Sequence, residues 1–137
     1  MVGRILLLDC TLRDGGYVND WKFGNGTITC IFDRLNESGV EIIEIGFLDQ
    51  RRECDMDRTI QPDTGSMSKV YEKVTEKKPM VFAMIDYGTC DIDKLQPKSE
   101  TFIDGIRLIF KKENMHKAVE YVGFIISYFY KYCKIRF

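Results

Sequence analysis

At 137 residues the chain is one domain's worth of polypeptide, long enough to bury a sizeable core. Its 20 basic and 21 acidic side chains nearly cancel and are scattered, which excludes the charge footprint of a nucleic-acid binder. Met1-Val2-Gly3-Arg4 leads into a short apolar run and then charges, unlike a signal peptide, and no apolar stretch reaches the ~20 residues of a membrane span. The five cysteines, Cys10, Cys30, Cys54, Cys90 and Cys133, are odd in number and contain no C-x-x-C. That argues against a disulfide framework or zinc knuckle and for a reducing, cytoplasmic setting.

In chain order, Ile5–Asp9 reads as a strand, apolar enough to be buried on both faces. Thr27–Ser38 reads as a helix with Ile28, Ile31, Phe32 and Leu35 on one face, closed by Gly39. Val40–Phe47 is a second strand, followed by a long polar loop from Leu48 to Pro62. Asp63 or Thr64 caps a helix expected to run to about Glu76, where Lys77-Lys78-Pro79 stops it. Met80–Ile85 is a third strand, Ile92–Gln96 a helical turn or two, and Gly105–Phe110 a fourth strand. A last helix is expected from about Asn114 to at least Val122. Such alternation predicts an α/β fold with a parallel sheet. The βαβ pattern alone leaves a doubly wound sheet and a barrel equally open.

The chemistry concentrates after the first strand. Asp9, Thr11, Arg13, Asp14, Gly15 and Gly16 follow the apolar run within a few residues, at the strand end where α/β proteins place their sites. The diglycine allows a tight turn and close approach of a ligand. Cys10 follows Asp9, whose charge raises a thiol's pKa, so it reads as a packing residue.

Asp9-Cys10-Thr11-Leu12-Arg13-Asp14-Gly15 resembles the D-x-T-L-R-D-G signature of the DRE-TIM, or HMGL-like, metallolyases, which include the pyruvate carboxyltransferases and 4-hydroxy-2-oxovalerate aldolases. The continuation Gly16, Tyr17, Asn19, Trp21 is similar to the G-Y-x-N-x-W of one aldolase-type branch. The resemblance runs through about residues 4–122. It implies a (β/α)8 TIM barrel, with 1–122 as the N-terminal half and its first four βα units; a whole barrel needs about 200 residues or more. It also implies a lyase, aldolase or carboxyl transferase acting on a 2-oxo acid such as pyruvate through an enolate, with Mn or Mg as Lewis acid.

By the same resemblance Asp14 is the metal ligand and a substrate contact, and Arg13 faces the substrate carbonyl or enolate oxygen. Glu44 matches the glutamate that orients that arginine. On its strand Ile43 and Ile45 alternate with it, so its carboxylate needs a cationic partner. Tyr17 stands where the hydroxy-oxovalerate aldolases carry a base histidine. It is a candidate catalytic or substrate-binding ring, with packing as the alternative. Arg51 and Arg52, in the loop after the second strand, are candidates to receive a substrate carboxylate or phosphate, against simple solvation. Asp86-Tyr87-Gly88 has the same standing, and Asp9 is expected to bond the motif backbone.

Two departures from the family qualify these expectations. The H-x-H pair that completes its metal site has no counterpart, and the only histidine, His116, reads as a surface residue. From Gly123 to Phe137 the sequence lacks acidic residues and is rich in aromatic and β-branched ones, as expected of an out-of-frame or prematurely ended tail, or of a genuine aromatic strand or partner-binding tail. The fragment alone is therefore expected to be inactive. The alternative reading is a non-catalytic half barrel that dimerises or joins a partner through its exposed edges.

Overall fold

The computed structural model describes residues 3–128 and 132–136, with side chains up to residue 127. Within that span the chain is a mixed α/β protein built on a parallel sheet. The strands are β1 (Leu8–Asp9), β2 (Ile42–Leu48), β3 (Ile60–Gln61), β4 (Met80–Asp86), β5 (Gly105–Ile109) and β6 (Tyr132–Arg136). Their order is β1-β2-β4-β5-β6, with β3 added beside the C-terminal end of β2. The helices are α1 (Thr11–Asp14), α2 (Gly16–Asn19), α3 (Asn25–Ser38), α4 (Thr64–Val70) and α5 (Met115–Tyr128). Short 3-10 turns occupy Ile92–Lys94, Lys98–Glu100 and Lys112–Asn114.

All seven residues of β2 are buried. Alternation along it sends Ile43 and Ile45 into the main core with Phe32 of α3, Met67 of α4, Ala83 of β4 and Ile106 of β5. The opposite face of the sheet carries Glu44, Phe47, Met84 and Arg107. There Trp21, Phe47, Ile60 and Met84 make a second, smaller apolar cluster. The site lies on this second face.

Several elements differ from their sequence expectation. Only Leu8–Asp9 of the Ile5–Asp9 run pairs as strand, opposite Ile42 and Ile43. Ile5 is 85% exposed and Leu7 is exposed too, because β1 is the end of the strand order and a run that reads as buried has a neighbour on one side. The N–H of Leu7 bonds the Glu41 carboxylate at 2.9 Å, which ties this segment to the start of β2.

α3 starts at Asn25, two residues early, because Asn25 is anchored from outside the helix. Its N–H bonds Asp57 Oδ1, and its side-chain amide donates to the carbonyls of Met56 and Val70. Gly39, at φ 80° and ψ 17°, closes α3 as expected. Asp63 caps α4, accepting from Ser66 N–H at 2.7 Å, but the helix ends at Val70 and not near Glu76. From Glu72 to Lys78 only Val74 is not exposed, and a segment with no apolar face gains little from staying helical.

The expected loop from Leu48 to Pro62 contains β3, which pairs Ile60 and Gln61 with Phe47 and Leu48. α5 continues through Gly123 to Tyr128, and Tyr132–Arg136 runs parallel to β5. Among the described residues, Cys10, Cys30, Cys54 and Cys90 are free thiols, and no helix is long and apolar enough to cross a membrane.

Candidate active site

The motif forms a tight double turn at the end of β1. Asp9 accepts the N–H of Thr11 at 3.0 Å and its hydroxyl at 3.1 Å, the backbone tie expected of it. The carbonyl of Cys10 accepts the N–H groups of Arg13 and Asp14, which winds the chain into α1. Gly15 is helical at φ −59°, so the diglycine is not needed for a left-handed turn. Gly16 is needed for room: a Cβ there would lie 1.9 Å from the Trp21 ring. The close approach that the sequence reserved for a ligand is made by the protein's own indole.

That indole positions the arginine. Trp21 Nε1 donates to the Arg13 carbonyl at 2.8 Å, and its ring stacks on Phe47 at 5.9 Å. Asp20 and Trp21 both have left-handed backbone, at φ 54° and 57°, a conformation that non-glycine residues seldom adopt. Arg58 holds the turn by donating to the Asp20 carbonyl and carboxylate, and Arg52 donates to the same carboxylate at 3.0 Å.

From this frame Arg13 points into the sheet. Its Nε donates to Glu44 Oε1 at 2.6 Å, and its Nη1 to Asp14 Oδ1 at 2.8 Å. Glu44 is fully buried, Arg13 keeps 12% of its side chain exposed, and Asp14 stands at the rim with 63% exposed. Burial opposes the charge of Arg13, yet the Glu44 carboxylate, with Asp14 adding, holds its pKa above the ordinary value. The result is a gradient from a buried, charge-compensated carboxylate to an accessible one, with a guanidinium between them. At the rim the largely buried Arg13 guanidinium lies beside the open carboxylate of Asp14.

Glu44 has a second partner that sequence reasoning missed. Arg107 of β5 reaches across β4 and donates from Nη2 to the same Glu44 oxygen at 2.7 Å. The signal was available, because a charged residue between Ile106 and Leu108 in a buried strand raises the question already asked of Glu44. The D-x-T-L-R-D-G motif itself does not point to β5.

The other expected residues lie further from this cluster. Tyr17 is 61% exposed and meets Trp21 edge-on at 4.8 Å, so it adjoins the site through that ring. Arg51 is turned onto Asp49, with Nε and Nη2 donating to the two carboxylate oxygens at 2.7 and 2.6 Å. Arg51 holds the Asp49 carboxyl below its usual range, and its own guanidinium fork is occupied. Arg52 lies over the Trp21 ring at 6.0 Å as well as on Asp20. His116 is exposed near the start of α5.

For a hard divalent cation, Asp14 is the one candidate ligand at this cluster. Among the described residues no three histidine, cysteine, aspartate or glutamate side chains converge. One carboxylate, with an oxygen already bonded to Arg13, does not complete a Mn or Mg site, since such ions take several oxygen ligands. Comparison with known proteins adds nothing to this geometry: no family model, curated protein or solved structure matches the chain.

Proposed function

We propose that the chain is the N-terminal half of a DRE-TIM-type barrel, residues 1–122, from a cytoplasmic carbon–carbon lyase, aldolase or carboxyl transferase. Its substrate is a 2-oxo acid such as pyruvate, reacting through its enolate. The observation that carries this reading is the Arg13 guanidinium, fixed between buried Glu44 and accessible Asp14 directly after the D-x-T-L-R-D-G turn. A guanidinium is permanently charged and offers a fixed fork of donors, which suits the carboxylate and developing oxyanion of such a substrate. Glu44 orients Arg13, and Trp21 fixes the backbone behind it. A Mn or Mg ion would supply Lewis-acid chemistry, with Asp14 as this chain's contribution to its ligands, and turnover by the fragment alone is not expected. Tyr17 and Arg51 are secondary in this assignment, because one adjoins the cluster through Trp21 and the other is occupied by Asp49.

The test is calorimetric titration of the chain with pyruvate, with and without Mn. Binding should be measurable and should weaken about tenfold or more in Arg13→Met, which removes a charge-assisted contact. Equal affinity in the variant, or no binding by the wild type, would refute the assignment.

A second reading is that the chain works by assembling. The edge at Ile5, Leu6 and Leu7 and the exposed Val119, Phe124 and Ile126 of α5 favour it, since such apolar surface in a small protein usually meets a partner. On this reading light scattering finds a dimer at micromolar concentration, and Leu7→Lys shifts it towards monomer. A monomer at all concentrations rejects it.

A further inference from the structure

Arg107 enters the site from outside the motif, passing Met84 Sδ at 3.2 Å on its way to Glu44. Its Nη2 and Arg13 Nε share one oxygen, Glu44 Oε1. Two buried polar atoms in the same cluster have no partner, Glu44 Oε2 and Arg107 Nε. One is an acceptor and the other a donor. In its preferred fork a guanidinium meets a carboxylate with two parallel hydrogen bonds to the two oxygens. Arg107 already makes one of the two, and the idle atoms are those the second would join.

We propose that Arg107 is the standby counter-ion of Glu44. When Arg13 turns from Glu44 to a bound anionic oxygen, Arg107 closes its fork on both carboxylate oxygens, joining Nε to Oε2. The exchange keeps the buried carboxylate paired throughout. Without it, Arg13 would be held on Glu44, because stripping a buried carboxylate of its only partner is strongly unfavourable. Trp21 bonds the Arg13 carbonyl, which confines the motion to the side chain. Arg107 thus acts through Glu44 and Arg13 and is a positioning residue. The turning of Arg13 rests on the 2-oxo acid reading, whereas the counter-ion role stands without it.

The test has two arms. In the first, urea midpoints are compared for Arg13→Met, Arg107→Met, the double variant, and the double variant carrying Glu44→Gln. If either guanidinium can compensate Glu44, each single variant shifts the midpoint slightly and the double shifts it by more than twice their sum. Glu44→Gln then recovers most of the loss. Additive shifts, or no recovery, overturn the counter-ion role.

In the second arm oxalate, an enolate-like dianion, is titrated against the emission of Trp21, the only tryptophan. Arg107→Met should weaken oxalate about tenfold. Arg107→Lys keeps the charge but not the fork, and should fall between. Equal affinity in Arg107→Met and wild type overturns the exchange. No response in the wild type overturns the 2-oxo acid reading and the turning of Arg13, while the first arm still decides the counter-ion.

Discussion

Glu44→Ala is expected to destabilise the fold by about 3 kcal/mol, the low end of the range for breaking a buried ion pair from one side. The substitution removes the buried anion that the two guanidinium groups share, and leaves Arg13 with the rim carboxylate of Asp14. Arg13 and Arg107 expose only 12% and 10% of their side chains, so water compensates them poorly. With a urea slope of about 2 kcal/mol/M, the midpoint should fall by about 1.5 M. Glu44→Gln keeps one acceptor oxygen but no charge, and it adds N–H donors among cations, so a loss of similar size is expected. A midpoint change under about 0.3 M would show that both arginines find water, and that Glu44 is not the electrostatic centre of the second face.

Gly46→Ala should cost a comparable amount, about 3 kcal/mol, for a steric reason. A Cβ at Gly46 would stand 2.0 Å from the Thr59 carbonyl oxygen and 2.7 Å from Met67 Cε. The methionine end can move. The carbonyl cannot, because it accepts the Phe47 N–H at 3.0 Å and so joins the chain leading into β3 to β2. Gly46 also lies where the β2–β4 register shifts, two residues beyond Glu44, so the substitution should disturb the carboxylate as well as the packing. Gly26 is the internal control. It lies in α3 with nothing within 4 Å of an added Cβ, and Gly26→Ala should stabilise by up to about 1 kcal/mol. Thermal or urea melts of the two variants should therefore move in opposite directions. If both were neutral, the close approach at Gly46 would not be maintained in solution.

Sequence pattern was sufficient to place the strands at Met80 and Gly105, the helix cap at Gly39, and the other cap at Asp63 or Thr64, of which the structure uses Asp63. Each of those signals is local: a side-chain period, a glycine that tolerates positive φ, a carboxylate three residues ahead of a free N–H. Glu44 was legible for a related reason, since a charge within a buried strand requires a partner wherever it occurs, whereas Arg13 and Asp14 were singled out by their place after the first strand and by the resemblance of the motif that holds them. What sequence could not supply was the partner's address. Arg107 is 63 residues from Glu44 and meets it only because β4 and β5 pair in the register that sets Met84 opposite Arg107. The indole on Gly16, the fork of Arg51 closed on Asp49, and the exposed face of Ile5 are likewise decisions of packing. Local propensity and pattern act through neighbouring residues and survive in the sequence. Burial, pairing and charge compensation depend on atoms brought together by the whole sheet, and only the tertiary structure determined them.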